Sequence, residues 1–425
     1  MKKRVVISKV LVLVLLLAVC MAGCGKSVAT ETSSLTDDQS EESTAETDTQ
    51  AETEKSQEKA EGSAEDVQED AQLGTEDTSA NVVLKEIYAG HNMKVGTCLS
   101  AQMIKIPQMS KLICEQFNSI TMENSMKPDY IFNKQKSIEA GDLVVEFNKD
   151  TIEMLDWAKE NDMAVRGHTL VWYSQTPDWI FYEDFDTQKD FVSRDVMLAR
   201  MESYIRQVFE KLTESGYAEL FYAYDVVNEA WMEDGLLREN HWSEIIGDDY
   251  LWYAFYYADQ YAPETIDLYY NDYNEQFKTA TLVKFVETLV DEDGNFLIDG
   301  IGLQGHLYTM DDLNQYFRMV DTLGKTGLKI EVTELDVSLG KWQNTLEATD
   351  DNLKVQGRFY YNLIQGLFER ADAGTVNMDA LTFWGVSDAY SWRKNANPLL
   401  YDAACQPKYA YFGAAQIKEM AGFDE

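Results

Sequence analysis

The chain has 425 residues and a formal net charge of −38, from 74 Asp and Glu against 36 Lys and Arg, a balance that excludes a nucleic-acid partner because phosphate binding needs a basic face. Its length accommodates one large α/β domain of roughly 250 residues or more, or two of ordinary size. Aromatic residues make up 12% of the chain, a share that serves equally for filling a core and for stacking on the apolar faces of sugar rings.

The first ten residues carry Lys2, Lys3, Arg4 and Lys9, and an apolar run over 11–19 follows. That run has the length of a secretory h-region and falls short of the about 20 apolar residues of a spanning helix. Met21-Ala22-Gly23-Cys24 closes it and resembles a bacterial lipobox, which implies removal of 1–23 and attachment of lipid to the thiol of Cys24. Cys20, after Leu17-Ala18-Val19, is a second candidate, and an ordinary signal peptide with incidental cysteines is the alternative. Each reading exports the protein, either anchored by lipid to the outer face of the bacterial cell membrane or secreted. Residues 24–80 are Thr, Ser, Glu, Asp, Gln and Ala with hardly a large apolar side chain. Such a segment cannot offset its ordering entropy, so it is expected to be a disordered acidic linker that like charges extend.

From 81 onward strands and helices alternate. Strands are expected over 95–100, 117–124, 163–172, 224–229, 266–273, 300–306, 329–337 and 380–385, and helices end near 117 and cover 151–160, 283–290, 313–323, 355–367 and 409–420. The helix after Asp190 has the clearest pattern, because Leu198, Met201, Ile205, Val208 and Leu212 recur at steps of three and four. Eight βα units in one domain over 81–425 make a (β/α)8 TIM barrel, which places its active site at the carboxyl ends of the strands. Cys98, Cys114 and Cys405 are odd in number and lack CxxC spacing. They form neither a disulfide framework nor a zinc site, and are read as small buried apolar residues.

Two strands end in polar residues that a strand core would not choose. Tyr224-Asp225-Val226-Val227 runs into Asn228-Glu229, and Lys329-Ile330-Glu331-Val332-Thr333 carries Glu334 and Asp336 to its end. Two carboxylates at two strand ends suggest a catalytic pair.

Further motifs stand in order around them: Glu123-Asn124 with Lys127, the run Arg166-Gly167-His168-Thr169-Leu170-Val171-Trp172, Gln304 with His306, and Phe383-Trp384-Gly385 with Ser391-Trp392-Arg393. In this set and order the chain resembles a glycoside hydrolase family 10 xylanase over roughly 85–420. The resemblance implies retaining, endo-acting hydrolysis of β-1,4-xylosidic bonds, with Glu229 as acid/base and Glu334 as nucleophile. Such a mechanism needs carboxyl groups about 5 to 5.5 Å apart and a covalent glycosyl-enzyme intermediate.

Glu229 is expected to hold its proton through the nearby charge of Glu334 and partial desolvation, and Glu334 to stay ionised by accepting hydrogen bonds. His306 is the expected donor to Glu334, with Asp336 behind it, and the alternative for both is a structural pair at strand ends. By resemblance Asn228 bonds the 2-hydroxyl of the sugar being cleaved. Glu123, Asn124, Lys127, His168, Gln175 and Gln304 position the glycone, and Trp384 and Trp392 form aromatic walls. Trp172 fits a core role nearly as well as a binding one.

One residue departs from the family. Trp172-Tyr173-Ser174-Gln175 has tyrosine where histidine is usual, and a phenol carries no cationic charge at neutral pH. The pH profile or glycone-side binding is what that change affects. No cofactor or metal is implied, because the carboxylates stand at separate strand ends rather than in a histidine-rich cluster. The expected partners are xylan or xylo-oligosaccharides and, through Cys24, a membrane; the expected state is a monomer. A β-1,4-glucanase differs by room for one hydroxymethyl group. A non-catalytic oligosaccharide-binding lipoprotein would have no reason to keep both glutamates.

Overall fold

The computed structural model describes residues 82–423, so the leader, Cys24 and the linker expected over 24–80 lie outside the described residues. Eight parallel strands form a closed ring: β1 Lys94–Leu99, β2 Ser119–Met122, β3 Ala164–Gly167, β4 Phe221–Asn228, β5 Asp267–Asp272, β6 Gly300–Leu303, β7 Lys329–Ser338 and β8 Asn377–Phe383. Gly96 of β1 is opposite Ser119 of β2 while Lys94 is opposite Ala380 of β8, and β8 pairs in turn with β7. The ring has no open edge. This is the expected (β/α)8 barrel, with strands buried on both faces because the barrel interior and the helical coat each cover one side. In β7 every residue after Lys329 is buried, charged ones included.

Helices follow the strands with local signals that account for their starts. Ser193 accepts a hydrogen bond from the Val196 N–H ahead of the helix Arg194–Glu214, and Thr349 does the same for Asn352 ahead of Asp350–Asp372. The first of these buries Met197, Met201, Tyr204, Ile205, Val208, Phe209 and Leu212. Leu198 is only half-buried, because Met197 takes the inward position.

Several boundaries differ from the sequence expectation. The strand expected over 163–172 breaks after Gly167, and Val171–Trp172 is laid separately against Val227 and Asn228 of β4. The strand expected over 300–306 turns at Gln304-Gly305, where Gly305 has φ 75°, and His306–Tyr308 pairs with the far end of β7. The helix expected from 283 begins at Glu275, since Glu275 and Lys278 point inward and hide the apolar period of the first turn. The terminal helix stops at Ala414 rather than 420, ahead of Gln416 in the left-handed region, and a separate turn of 3-10 helix covers Lys418–Met420. Two helices between β4 and β5, His241–Ile246 and Tyr250–Tyr261, were not expected. The second is aromatic on most of its circumference, so it shows no amphipathic period. Of the three thiols, all free, only Cys98 is buried; Cys114 and Cys405 are partly exposed, which corrects their reading as core residues.

Candidate active site

Asn228 ends β4, and Glu229 leaves the strand with φ 56°. A residue with a Cβ is uncommon in that left-handed region and must be held there by its surroundings. Glu229 N–H donates to the Asn271 carbonyl at 2.9 Å, its own carbonyl accepts from Arg238 Nε at 3.2 Å, and the next N–H, of Ala230, donates to the Tyr270 hydroxyl at 3.0 Å. The carboxyl group so directed into the cleft accepts from Gln304 Nε2 at Oε1 (2.8 Å) and from Trp172 Nε1 at Oε2 (3.1 Å).

Glu334 is buried in β7. Its Oε1 accepts from Asn271 Nδ2 at 2.7 Å, and His306 Nε2 stands 3.3 Å from Oε2. Behind the imidazole, Asp336 Oδ2 lies 3.0 Å from His306 Nδ1; Asp336 also accepts from Trp392 Nε1 at 2.9 Å and Arg393 Nη1 at 3.0 Å. Burial opposes a charge on both groups, yet the outcome favours it. The Asp336 carboxylate, with Glu334, raises the His306 imidazolium to about 9. Burial pushes the Glu334 carboxyl up, but the hydrogen bond from His306 and the His168 and His306 charges bring it below the usual carboxylate range. The expected order Glu334, His306, Asp336 is therefore present in space.

One chain of amides joins the two glutamates. Asn228 Oδ1 accepts from Asn271 Nδ2 at 2.9 Å and from Gln304 Nε2 at 3.3 Å, and those same amides donate to Glu334 and Glu229. The Asn271 amide is fixed from below by the Thr333 hydroxyl, which donates to its Oδ1 at 2.6 Å. Gly302 of β6 makes room for it, since a Cβ there would sit 2.4 Å from Asn271 Oδ1. With its oxygen accepting twice, Asn228 keeps its Nδ2 hydrogens free of any acceptor recorded among the described residues.

The wall on the β2 and β3 side is polar. Lys127 is buried and donates to Gln175 Oε1 at 2.7 Å and Asn124 Oδ1 at 3.1 Å, with its ammonium 5.0 Å from the centre of the Trp172 ring. Desolvation lowers its pKa against the pull of Glu334 and Glu123. Glu123 is half-buried beside it. His168 is buried, with Nδ1 2.9 Å from Asp225 Oδ2. The Trp384 ring is buried between the rings of His168 and His306, at 5.5 and 6.4 Å, while Trp392 is 55% exposed. Trp384 is thus floor and Trp392 rim. Every site residue expected within the described part stands at this one end of the barrel, and Trp172, half-buried and bonded to Glu229, is a cleft residue rather than a core one.

The sequence reading missed Asn271, although Asn271-Asp272-Tyr273 ends β5 in the same polar manner as Asn228-Glu229 ends β4. It missed the charges under the floor as well. Arg166 spans Asp225 and Glu331 at 2.5 Å each, with all three side chains 1% exposed. Arg238 and Glu275 were missed too: Arg238 lies 4.3 Å from the Tyr173 ring centre and donates to the Tyr273 hydroxyl at 2.9 Å, and Glu275 Oε1 accepts from the Gln304 N–H at 2.9 Å. Tyr173 consequently faces Glu229 and Arg238, and burial, then the charge of Glu229, push its phenol up to about 12.

The sequence pattern of Glycosyl hydrolase family 10 matches residues 83–417. The chain belongs to this family. The family 10 domain is 34% identical to endo-1,4-beta-xylanase B of Butyrivibrio fibrisolvens over 77% of this chain and 52% of that protein. It is 36% identical to a putative endo-1,4-beta-xylanase of Caldicellulosiruptor saccharolyticus over 70% of this chain and 97% of that one. The chain thus spans about half the length of the first of these relatives, and about a third (32%) of two others. The crystal structure of the CBM22-1–GH10 modules of Clostridium thermocellum Xyn10B, complexed with xylohexaose, superposes on the family 10 fold with a TM-score of 0.72 at 32% identity, covering 83% of this chain and 71% of that one.

Proposed function

We propose that the domain hydrolyses internal β-1,4-xylosidic bonds of xylan or xylo-oligosaccharides with retention of configuration. The observation that carries this is the amide chain Gln304, Asn228, Asn271, which binds Glu229 at one end and Glu334 at the other. Two carboxyl groups held in one polar network, one of them supported by an imidazolium, suit a double displacement. Glu334 attacks the anomeric carbon while Glu229 gives its proton to the departing oxygen; water, deprotonated by Glu229, then cleaves the glycosyl-enzyme ester. The His306 charge keeps Glu334 ionised for attack and stabilises it as a leaving group in the second step. Asn228 Nδ2 is placed to donate to the sugar 2-hydroxyl, a bond that strengthens as the ring becomes oxocarbenium-like. Glu123, Asn124, Lys127, His168 and Gln175 hold the glycone, with Trp384 and Trp392 as its aromatic boundary.

The test is release of reducing ends from xylan and, separately, from carboxymethylcellulose. Xylan alone, or xylan strongly preferred, is the expected result; carboxymethylcellulose alone would replace the substrate, and neither would remove the hydrolase reading.

We also propose that Cys24 carries the lipid and that 24–80 spaces the domain from the membrane, on the strength of the Met21-Ala22-Gly23-Cys24 motif and the acidic composition that follows it. Palmitate labelling that persists unchanged in Cys24→Ala would reject that site.

A further inference from the structure

A run of aromatic surface continues outward from the nucleophile side of the cleft, beyond any residue used above. Tyr308 stands two residues past His306 on the same short strand, so its ring projects from the same face about 7 Å further out. Arg393 brackets the two sites: Nη1 donates to Asp336 and, at 3.1 Å, to the Ser338 hydroxyl, while its guanidinium lies 4.9 Å from the centres of both the Trp392 and the Tyr308 rings. Past Tyr308 comes Trp342, edge-on to it with ring centres 6.3 Å apart.

Trp342 is 69% exposed, the most exposed large apolar side chain among those described. It tops a two-stranded hairpin, Gly340–Lys341 with Asn344–Thr345, that is fastened to the barrel rim. Gly340 N–H donates to the Thr309 hydroxyl at 2.9 Å and the Gly340 carbonyl accepts from Met310 N–H at 3.1 Å. Gly340 has φ 97°, and a Cβ there would meet the Asn344 carbonyl at 2.3 Å, so the sequence keeps glycine at the base of the hairpin, where the opposite arm approaches closely. A tryptophan held on an anchored support with most of its surface in water adds little to the fold, and it adds to a binding surface.

The side of the cleft follows from topology. The polar glycone wall comes from residues after β2 and β3, whereas Tyr308 and Trp342 follow β6 and β7, four strands away around the ring of eight. We propose that Tyr308 and Trp342 form a sugar-stacking platform that holds neutral pyranose units on the leaving-group side of a long β-linked substrate, beyond the unit attached to the scissile bond. The platform is continuous with the catalytic cleft through Trp392 and Arg393, and its ligand is the onward part of the same chain. This rests on the hydrolase reading above for its substrate and deepens it.

The test compares Trp342→Ala and Trp342→Phe with wild type on xylohexaose and on an aryl β-xylobioside, whose leaving group is too short to reach the platform. Loss of one stacking contact should lower kcat/KM on xylohexaose roughly three- to tenfold relative to the xylobioside, with partial recovery in the phenylalanine variant. Cleavage of xylohexaose labelled at its reducing end should move toward that end, giving shorter labelled products. Equal losses on both substrates, or longer labelled products, would overturn the platform or its side. Titration of xylohexaose onto Glu334→Gln protein, with and without Trp342→Ala, needs no turnover. If wild type hydrolyses neither substrate but the alanine variant binds xylohexaose several-fold more weakly, the hydrolase reading fails and the platform stands; unchanged binding removes the platform.

Discussion

Replacing Asp336 by asparagine tests the electrostatic core of the site. Asp336 is fully buried and accepts from His306, Trp392 and Arg393. In this setting His306 titrates at about 9, against about 6.5 for a free histidine, a preference for the imidazolium of about 3 kcal/mol. Because the folded value is raised, this contribution to stability is complete below about 6.5 and is lost as pH rises through about 9. Asparagine removes the charge and turns one oxygen into an amide that can only donate, so His306 and Arg393 lose their common counter-ion. Stripping one partner from a buried ion pair costs about 3–5 kcal/mol. The assay is kcat/KM against pH with a dinitrophenyl β-xylobioside, whose leaving group departs without proton donation, so that Glu229 does not mask the result. Wild type should hold its rate up to a limb near 9, and Asp336→Asn should show that limb at least about one pH unit lower, with urea unfolding less dependent on pH between neutrality and the wild-type limb. An unmoved limb in a folded variant would refute the argument that Asp336 sets the charge of His306.

Two further outcomes follow from the surrounding charges. Burial pushes the Asp225 carboxyl up, but Arg166 and His168 hold it below the usual carboxylate range, so Arg166→Met leaves it without its main cation; Glu331, which burial pushes up to about 8, keeps a proton at neutral pH. Urea denaturation should then show a loss of about 3–5 kcal/mol from the Asp225 pair, and a loss below about 1 kcal/mol would mean that Asp225 too is neutral in the folded protein. Tyr173→His puts an imidazole beside Glu229 and Arg238 in place of a phenol that titrates only near about 12. The pH profile on xylan should gain a new inflection in the range of an ordinary histidine, and an unchanged profile would show that position 173 does not influence the acid.

How much of this was legible in the sequence depended on whether a residue's role is local. Asn228-Glu229 and Glu334 with Asp336 announce themselves because polar residues interrupt apolar strands, and alternation alone puts Glu334 and Asp336 on one side. The count of eight strands needed only the alternation of elements. Asn271 was hidden although it touches Glu334, because its role depends on Gly302, its register partner on the neighbouring strand β6, giving it room. Arg166 sat inside a recognised motif, yet its partner Glu331 is 165 residues away and reads in sequence as one more alternating strand position. The helix Tyr250–Tyr261 was invisible for another reason: aromatic side chains on most sides leave no polar face for periodicity to detect. The Tyr173 departure was visible as a change of residue type, but only the fold places it beside Glu229 and Arg238.

The central claim is that Glu334 forms a covalent bond to the sugar while Glu229 handles protons. Incubation with a dinitrophenyl 2-deoxy-2-fluoro-β-xylobioside, followed by peptide mapping in a mass spectrometer, tests it most directly, since the fluorine slows breakdown of the glycosyl-enzyme. A single fluoroxylobiosyl adduct on the peptide containing Glu334 is the predicted result. An adduct on Glu229 or another carboxylate, or a folded and active enzyme that turns the reagent over without ever accumulating an adduct, would contradict it.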